Sequence, residues 1–119
     1  MKMNKKKIED YDFGRIIVNG KSYKSDIIIF WDKVRSGWWR REGHTLHVED
    51  IADIIDENPD VIVIGTGAYG LMNVLPETEN YIKSKGVKLI VKKTKEACKI
   101  FNKLSREGKK VVAALHLTC

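Results

Sequence analysis

Val61-Ile62-Val63-Ile64-Gly65-Thr66-Gly67-Ala68-Tyr69-Gly70 is the stretch whose reading decides the fold. Four consecutive β-branched residues show neither a helical nor an alternating period, so they read as a short strand buried on both faces. Glycines follow immediately, as a chain leaving a buried strand through a tight turn requires. Downstream, Pro76 suits the first position of a helix that stops at Gly86, and residues 87–91 form the next strand. Thr94 is placed to cap a second helix whose apolar face is Ala97, Ile100, Phe101 and Leu104. Gly108 ends that helix, and residues 111–115 are a last strand. Strand–helix–strand–helix–strand at these spacings demands parallel strands joined by crossover helices.

Upstream the pattern differs. Residues 13–18 read as a strand and run into Asn19-Gly20, the strongest two-residue hairpin signal, with residues 21–24 returning. Residues 26–31 are a nearly continuous apolar strand. Residues 36–40 read as a further short strand, which places Trp38 and Trp39 on opposite sides. Beyond the polar turn at 41–44 the period becomes helical: Val48, Ile51, Ile54 and Ile55 share a face, Glu49 and Asp50 sit in the favoured first turn, and Asn58-Pro59 ends the helix. The fold class is therefore α/β: a three-layer single domain with a mixed sheet, a parallel βαβαβ C-terminal half and antiparallel N-terminal strands. Four lysines and no carboxylate in residues 1–7 mark a basic tail. We expect residues 1–10 to be that flexible tail and residues 11–119 to be the domain.

Composition narrows the class. With 119 residues, 43% of them hydrophobic, the chain supports one core and is too short for two ordinary domains. So much periodic apolar sequence excludes disorder. The apolar runs at 27–31 and 111–115 are far short of the ~20 residues of a membrane-spanning helix. No apolar stretch follows the N-terminal lysines as a signal peptide would need. Two cysteines, Cys98 and Cys119, make no disulfide framework, so a cytoplasmic location is expected.

Ligands of α/β sheets bind beyond the carboxyl ends of parallel strands, where residues 65–70 lie. Their spacing matches G-x-G-x-x-G, the dinucleotide fingerprint. Two features argue against that reading. Residues 71–75 separate the loop from the helix, and Lys92-Lys93 stand where a ribose-binding carboxylate belongs. No cofactor is expected. The alternatives are a sharp, closely packed turn, or a loop that holds a small anion on free backbone N–H groups. His44 and His47 are three residues apart, as are His116 and Cys119, but no C-x-x-C or H-x-x-x-H accompanies them. Polar histidines with satisfied hydrogen bonds are preferred, and no metal is expected. Cys98 reads as a small buried residue. Trp31, Trp38 and Trp39 divide between core packing and a partner surface that Arg40 and Arg41 border.

The net charge is +6, and it is uneven: residues 82–119 hold eleven Lys+Arg against Glu96 and Glu107. Lys95, Lys99, Lys103 and Arg106 recur along the last helix as one basic stripe, either a solvated face or a surface for nucleic acid or an acidic partner. No nucleic-acid motif accompanies the stripe.

Ser22-Tyr23, Trp38-Trp39-Arg40-Arg41-Glu42-Gly43-His44, Glu49-Asp50, Val63-Ile64-Gly65-Thr66-Gly67, Phe101-Asn102 and His116-Leu117-Thr118-Cys119 together resemble a family of small conserved domains of unknown function. That family includes a human adipogenesis-associated protein and a mitochondrial complex I assembly factor. The resemblance runs over residues 11–119. It implies a three-layer α/β fold of the family's own type without a shown catalytic activity, a surface cleft beside the Gly-x-Gly loop, and an assembly or adaptor role.

The expected function is a cytoplasmic, non-enzymatic binding or assembly module. Its ligand-binding residues would be Gly65, Thr66, Gly67, Tyr69, Gly70, Arg40, Arg41 and His44, holding a protein partner segment or a small anion. One alternative is an enzyme of small-molecule metabolism using His116 and Cys119. Another is nucleic-acid binding by the basic stripe. No membrane partner is expected. Short apolar strands at the N-terminal edge leave monomer and homodimer both open.

Overall fold

A computed structural model describes residues 5–119. Strand β1 (Ile8–Asp12) pairs antiparallel with β2 (Arg15–Val18), and β2 with β3 (Lys21–Tyr23). Asn19 and Gly20 both have positive φ, 48° and 81°, as a two-residue hairpin joining β2 and β3 requires. These strands form their own three-stranded sheet, not the expected extension of the main one.

The main sheet has the order β5-β4-β10-β7-β9. Its strands are β4 (Ile27–Ile29), β5 (Val34–Ser36), β7 (Val61–Thr66), β9 (Lys88–Lys92) and β10 (Val111–His116). Strands β7, β9 and β10 are parallel, and β4 and β5 join antiparallel. Every residue of β4, β7 and β10 is buried, which explains why their sequences are continuous rather than alternating. Helix α2 (Pro76–Ser84) connects β7 to β9, and α3 (Thr94–Arg106) connects β9 to β10.

Two cores flank the sheet. On one face Phe101, Ala97 and Cys98 of α3 meet Val63, Ala113 and Leu115, together with Ile8, Ile16 and Val18 of the hairpin sheet. On the other, Ile82 of α2, Ile51 and Ile54 pack on Ile28, Ile62, Ile64 and Ala114, with Phe30 and Trp38 beside them. The three layers are thus helices, sheet, and α3 with the small sheet.

Several elements differ from expectation. Residues 8–10 lie in β1, so the tail is shorter than 1–10; residues 1–4 fall outside the described residues. The predicted helix at 48–55 is broken into a 3-10 turn, Val48–Asp50, and a single α-turn, α1 (Ala52–Ile55). Asp50 closes the first turn as a helix-starting cap: its carboxylate accepts the N–H groups of His47 and Arg41, both ahead of the predicted helix. Residues 38–40 are not a strand. Strands β6 (Thr45–Leu46) and β8 (Asn73–Val74) form an unforeseen two-residue parallel pair.

Asn102 of α3 ties the small sheet to the large one. Its amide accepts the Ile8 N–H at 2.9 Å and donates to the Ile8 carbonyl at 2.7 Å, giving β1 the backbone partners its outer edge lacks. Asn102→Leu removes both bonds and should cost about 1–3 kcal/mol. Urea denaturation measures that loss, and hydrogen exchange should show Ile8 opening earlier than Val63 of the main sheet.

Candidate functional site

Asp26, His116 and Thr66 stand side by side where β4, β10 and β7 end. The register pairs His116 with Thr66 and Leu115 with Ile27, so Asp26 falls beside His116 just before β4 begins. One Asp26 oxygen accepts the Leu117 N–H at 2.8 Å. The other accepts Arg40 Nη2 at 2.7 Å and His116 Nδ1 at 2.8 Å. Burial alone would push the Asp26 carboxyl up. The hydrogen bonds from His116, Leu117 and Arg40, with the positive charge of Arg40, outweigh it and hold the group below the ordinary carboxylate range.

The network also fixes the imidazole. Arg40 Nη2 has two hydrogens, and they go to Asp26 and to the Gly43 carbonyl at 2.9 Å. His116 Nδ1 is therefore the donor to Asp26. The 3.1 Å approach of Arg40 Nη2 to Nδ1 is then a packing contact. Arg40 and His116 are 7% and 6% exposed, and Arg40 Nη1 and His116 Nε2 are buried without a hydrogen-bond partner among the described residues. The guanidinium lies 4.6 Å over the Trp38 ring, which gives its inner face an electrostatic partner. His44 meets His116 edge-on at 5.4 Å between centroids.

The glycine loop is a different kind of structure from the expected anion site. The Gly67 N–H donates to the Thr94 hydroxyl at 2.8 Å, and that hydroxyl donates to the His116 carbonyl at 2.6 Å. Thr94 thus stitches the loop to β10 instead of capping α3. Ala68 N–H donates to the Thr118 carbonyl and Leu71 N–H to that of Cys119, while Gly70 N–H turns back to Gly67. A Cβ on Gly67, where φ is +106°, would meet the Cys119 carbonyl oxygen at 2.5 Å. On Gly65 it would meet Leu115 at 2.7 Å, and Gly70 has Lys93 against it. The glycines permit close packing by residues 118 and 119, by Leu115 and by Lys93. Residues 118 and 119 fill the space against Gly67, and the Gly67, Ala68, Gly70 and Leu71 amides are engaged within the protein.

The predicted site residues therefore divide. Arg40, Thr66 and His44 gather at the Asp26–His116 pair. Gly65, Gly67 and Gly70 form the packed turn, with Tyr69 exposed on its rim. Arg41 points away from Arg40 and pairs with Glu49 at 3.3 Å. That pair borders a surface hollow of about 660 Å³ beside Trp39, which is 81% exposed, whereas Trp38 is buried with its indole N–H on the Asp50 carbonyl. His47 pairs with Glu42. Cys98 is buried, and burial pushes its thiol up to about 12, out of reach of nucleophilic use at neutral pH.

Sequence reasoning missed Asp26, the centre of the cluster. The available signal was a carboxylate immediately before an unbroken apolar strand, a place where an isolated charge is costly unless paired.

A family model described as a protein of unknown function (DUF498/DUF598) matches residues 8–116. The chain belongs to that family. Solved structures resemble this DUF498/DUF598 member over nearly its whole length. A conserved hypothetical protein from Pyrococcus horikoshii is 31% identical, with 95% of this chain and 99% of that one covered and a TM-score of 0.81. The protein MT938 is 25% identical, with 96% and 99% covered and a TM-score of 0.78. A Bartonella henselae structure described as an outer membrane protein shares the fold at 24% identity, 97% coverage of both chains and a TM-score of 0.83. Among the described residues of the present chain, no helix is long and apolar enough to cross a membrane.

Removing the Asp26 charge strands Arg40 in a buried site, so Asp26→Asn should destabilise the fold by about 3 kcal/mol at neutral pH. Because the folded carboxyl is held below its unfolded value, its contribution is complete above the unfolded value. It disappears as pH falls through the depressed folded one. Wild type and variant should differ most near pH 7 and converge in acid, as thermal melting against pH will show.

Proposed function

We propose that this protein is a non-enzymatic binding or assembly module that docks a partner segment on the rim of the 65–70 loop. The observation that carries this reading is an exposed apolar group on a fixed backbone. Phe13, Tyr69 and Leu71 are 52%, 65% and 57% exposed, and the Phe13 and Tyr69 rings touch at 5.9 Å between centroids. Large exposed side chains on a rigid frame are what interface anchors require, since little conformational freedom is lost when a partner covers them. The frame is rigid because the Ala68 and Leu71 amides are tied to residues 118 and 119. The resemblance in sequence to a family of small conserved domains with an adipogenesis-associated protein and a complex I assembly factor among its members would accord with a role without chemistry. The unpaired cysteines, Cys98 buried and Cys119 half-buried, suit a reducing cytoplasm.

The enzymatic alternative has one observation in its favour, the Asp26–His116 pair, which orients an imidazole as a general base is oriented. The burial of Nε2 weighs against it, because a base must reach the proton it removes.

Quantitative co-purification from the native cells tests the docking rim. Tyr69→Ser with Leu71→Ser should leave the melting temperature within a few degrees and lower the recovery of at least one wild-type partner more than tenfold. An unchanged partner set, or loss of partners only with Trp39→Ala, overturns the assignment to this rim.

A further inference from the structure

We infer that the groove between β1 and α3 is a binding surface for the phosphodiester backbone of nucleic acid. Two hollows lie along it, one on each side of the Asn102–Ile8 clasp. The first, about 270 Å³, is bordered by Lys95 and Lys99 with Tyr11. The second, about 250 Å³, is bordered by Lys5, Lys6, Lys7 and Arg106. Asn102 lines both, so the two hollows adjoin at the clasp. Lysines separated by nearly ninety residues in sequence thus line adjoining hollows, an arrangement that the helical stripe alone did not reveal.

Charge is what the groove offers. None of Lys95, Lys99, Lys103 or Arg106 takes part in the ion pairs found among the described residues. Two carboxylates also border the first hollow: Asp10 is balanced by Arg15 at 2.8 Å, while Glu9 accepts the Gly20 N–H and keeps its charge, so the cations of the two hollows outnumber the one unbalanced acid. Along α3 the lysines at i and i+4 repeat every ~6 Å on a straight rod. A regularly charged polyanion meets such a row without having to bend.

The same groove lacks a platform for bases. Its aromatic residue, Tyr11, is half-buried and donates its hydroxyl to the Leu117 carbonyl at 2.8 Å. Sequence-tolerant single-strand binding relies on exposed rings for stacking, whereas backbone binding relies on cations alone. The groove therefore favours phosphates over bases. Duplex DNA or RNA should bind at least as well as single strands, with no preference for sequence.

Fluorescence anisotropy with a labelled 20-base-pair duplex, using the full chain, tests this. Six cations in contact with phosphates give a slope of log K against log salt of about −5. Lys95→Glu with Lys99→Glu, and separately Lys6→Glu with Arg106→Glu, should each weaken binding more than tenfold. Lys83→Glu with Lys85→Glu, at the C-terminal end of α2 across the sheet, makes the same change in net charge and should leave binding within twofold. Equal losses in all three pairs would show attraction to net charge, not to this groove, and would overturn the proposal. A wild-type slope shallower than −2 would do the same even if a variant failed to fold. So would equal competition by polyglutamate, or binding to anionic phospholipid vesicles without binding to duplex.

Discussion

The carboxylate of Asp26 is the interaction on which the upper end of the sheet depends. Strands β4 and β10 come from opposite ends of the chain and are joined antiparallel over only three residue pairs. Beyond those pairs the chains would separate, but Asp26 accepts the Leu117 N–H and both His116 and Arg40. The turn carrying Arg40, Gly43 and His44 is thereby drawn onto the same point. A single buried acid organises strand ends, a loop and a cation, and the cost of burying it is offset because each oxygen has a donor.

The second node, the Thr94 hydroxyl, closes the neighbouring corner. It accepts from Gly67 and donates to the His116 carbonyl, so the start of α3, the glycine turn and the end of β10 are held by one oxygen. With both nodes made, the chain after β10 runs back over the turn and seats residues 118 and 119 against Gly67. The spacing that resembles a dinucleotide fingerprint arises here from close packing of backbone on backbone.

Much of the architecture was legible because it follows from period and punctuation. Continuous Ile/Val runs gave β4, β7 and β10, Asn19-Gly20 gave the hairpin, and Pro76, Gly86 and Gly108 bounded the helices. The site was less legible, because its parts are joined by tertiary contacts that leave no local pattern. Asp26 and His116 are ninety residues apart, and nothing in a window around either names the other. The same limit hid Asp50, whose carboxylate gathers the Arg41 and His47 amides at the start of the 3-10 turn. The same holds for Thr94: at the head of a helix its hydroxyl reads as a cap, and only the fold shows it facing two other chain segments.

Trp38 and Trp39 are consecutive residues placed in opposite environments, one beneath a guanidinium in the core and one almost wholly in solvent. The molecule therefore carries two optical reporters on adjacent peptide units. The inner indole sits beside the charge cluster and senses its integrity, while the outer one is open to collisional quenchers and to any macromolecule that shades it. With the third indole, Trp31, replaced by Phe, iodide quenching separates the two emissions, so assembly on the Trp39 side and disruption around Asp26 can be followed in one cuvette without adding a dye.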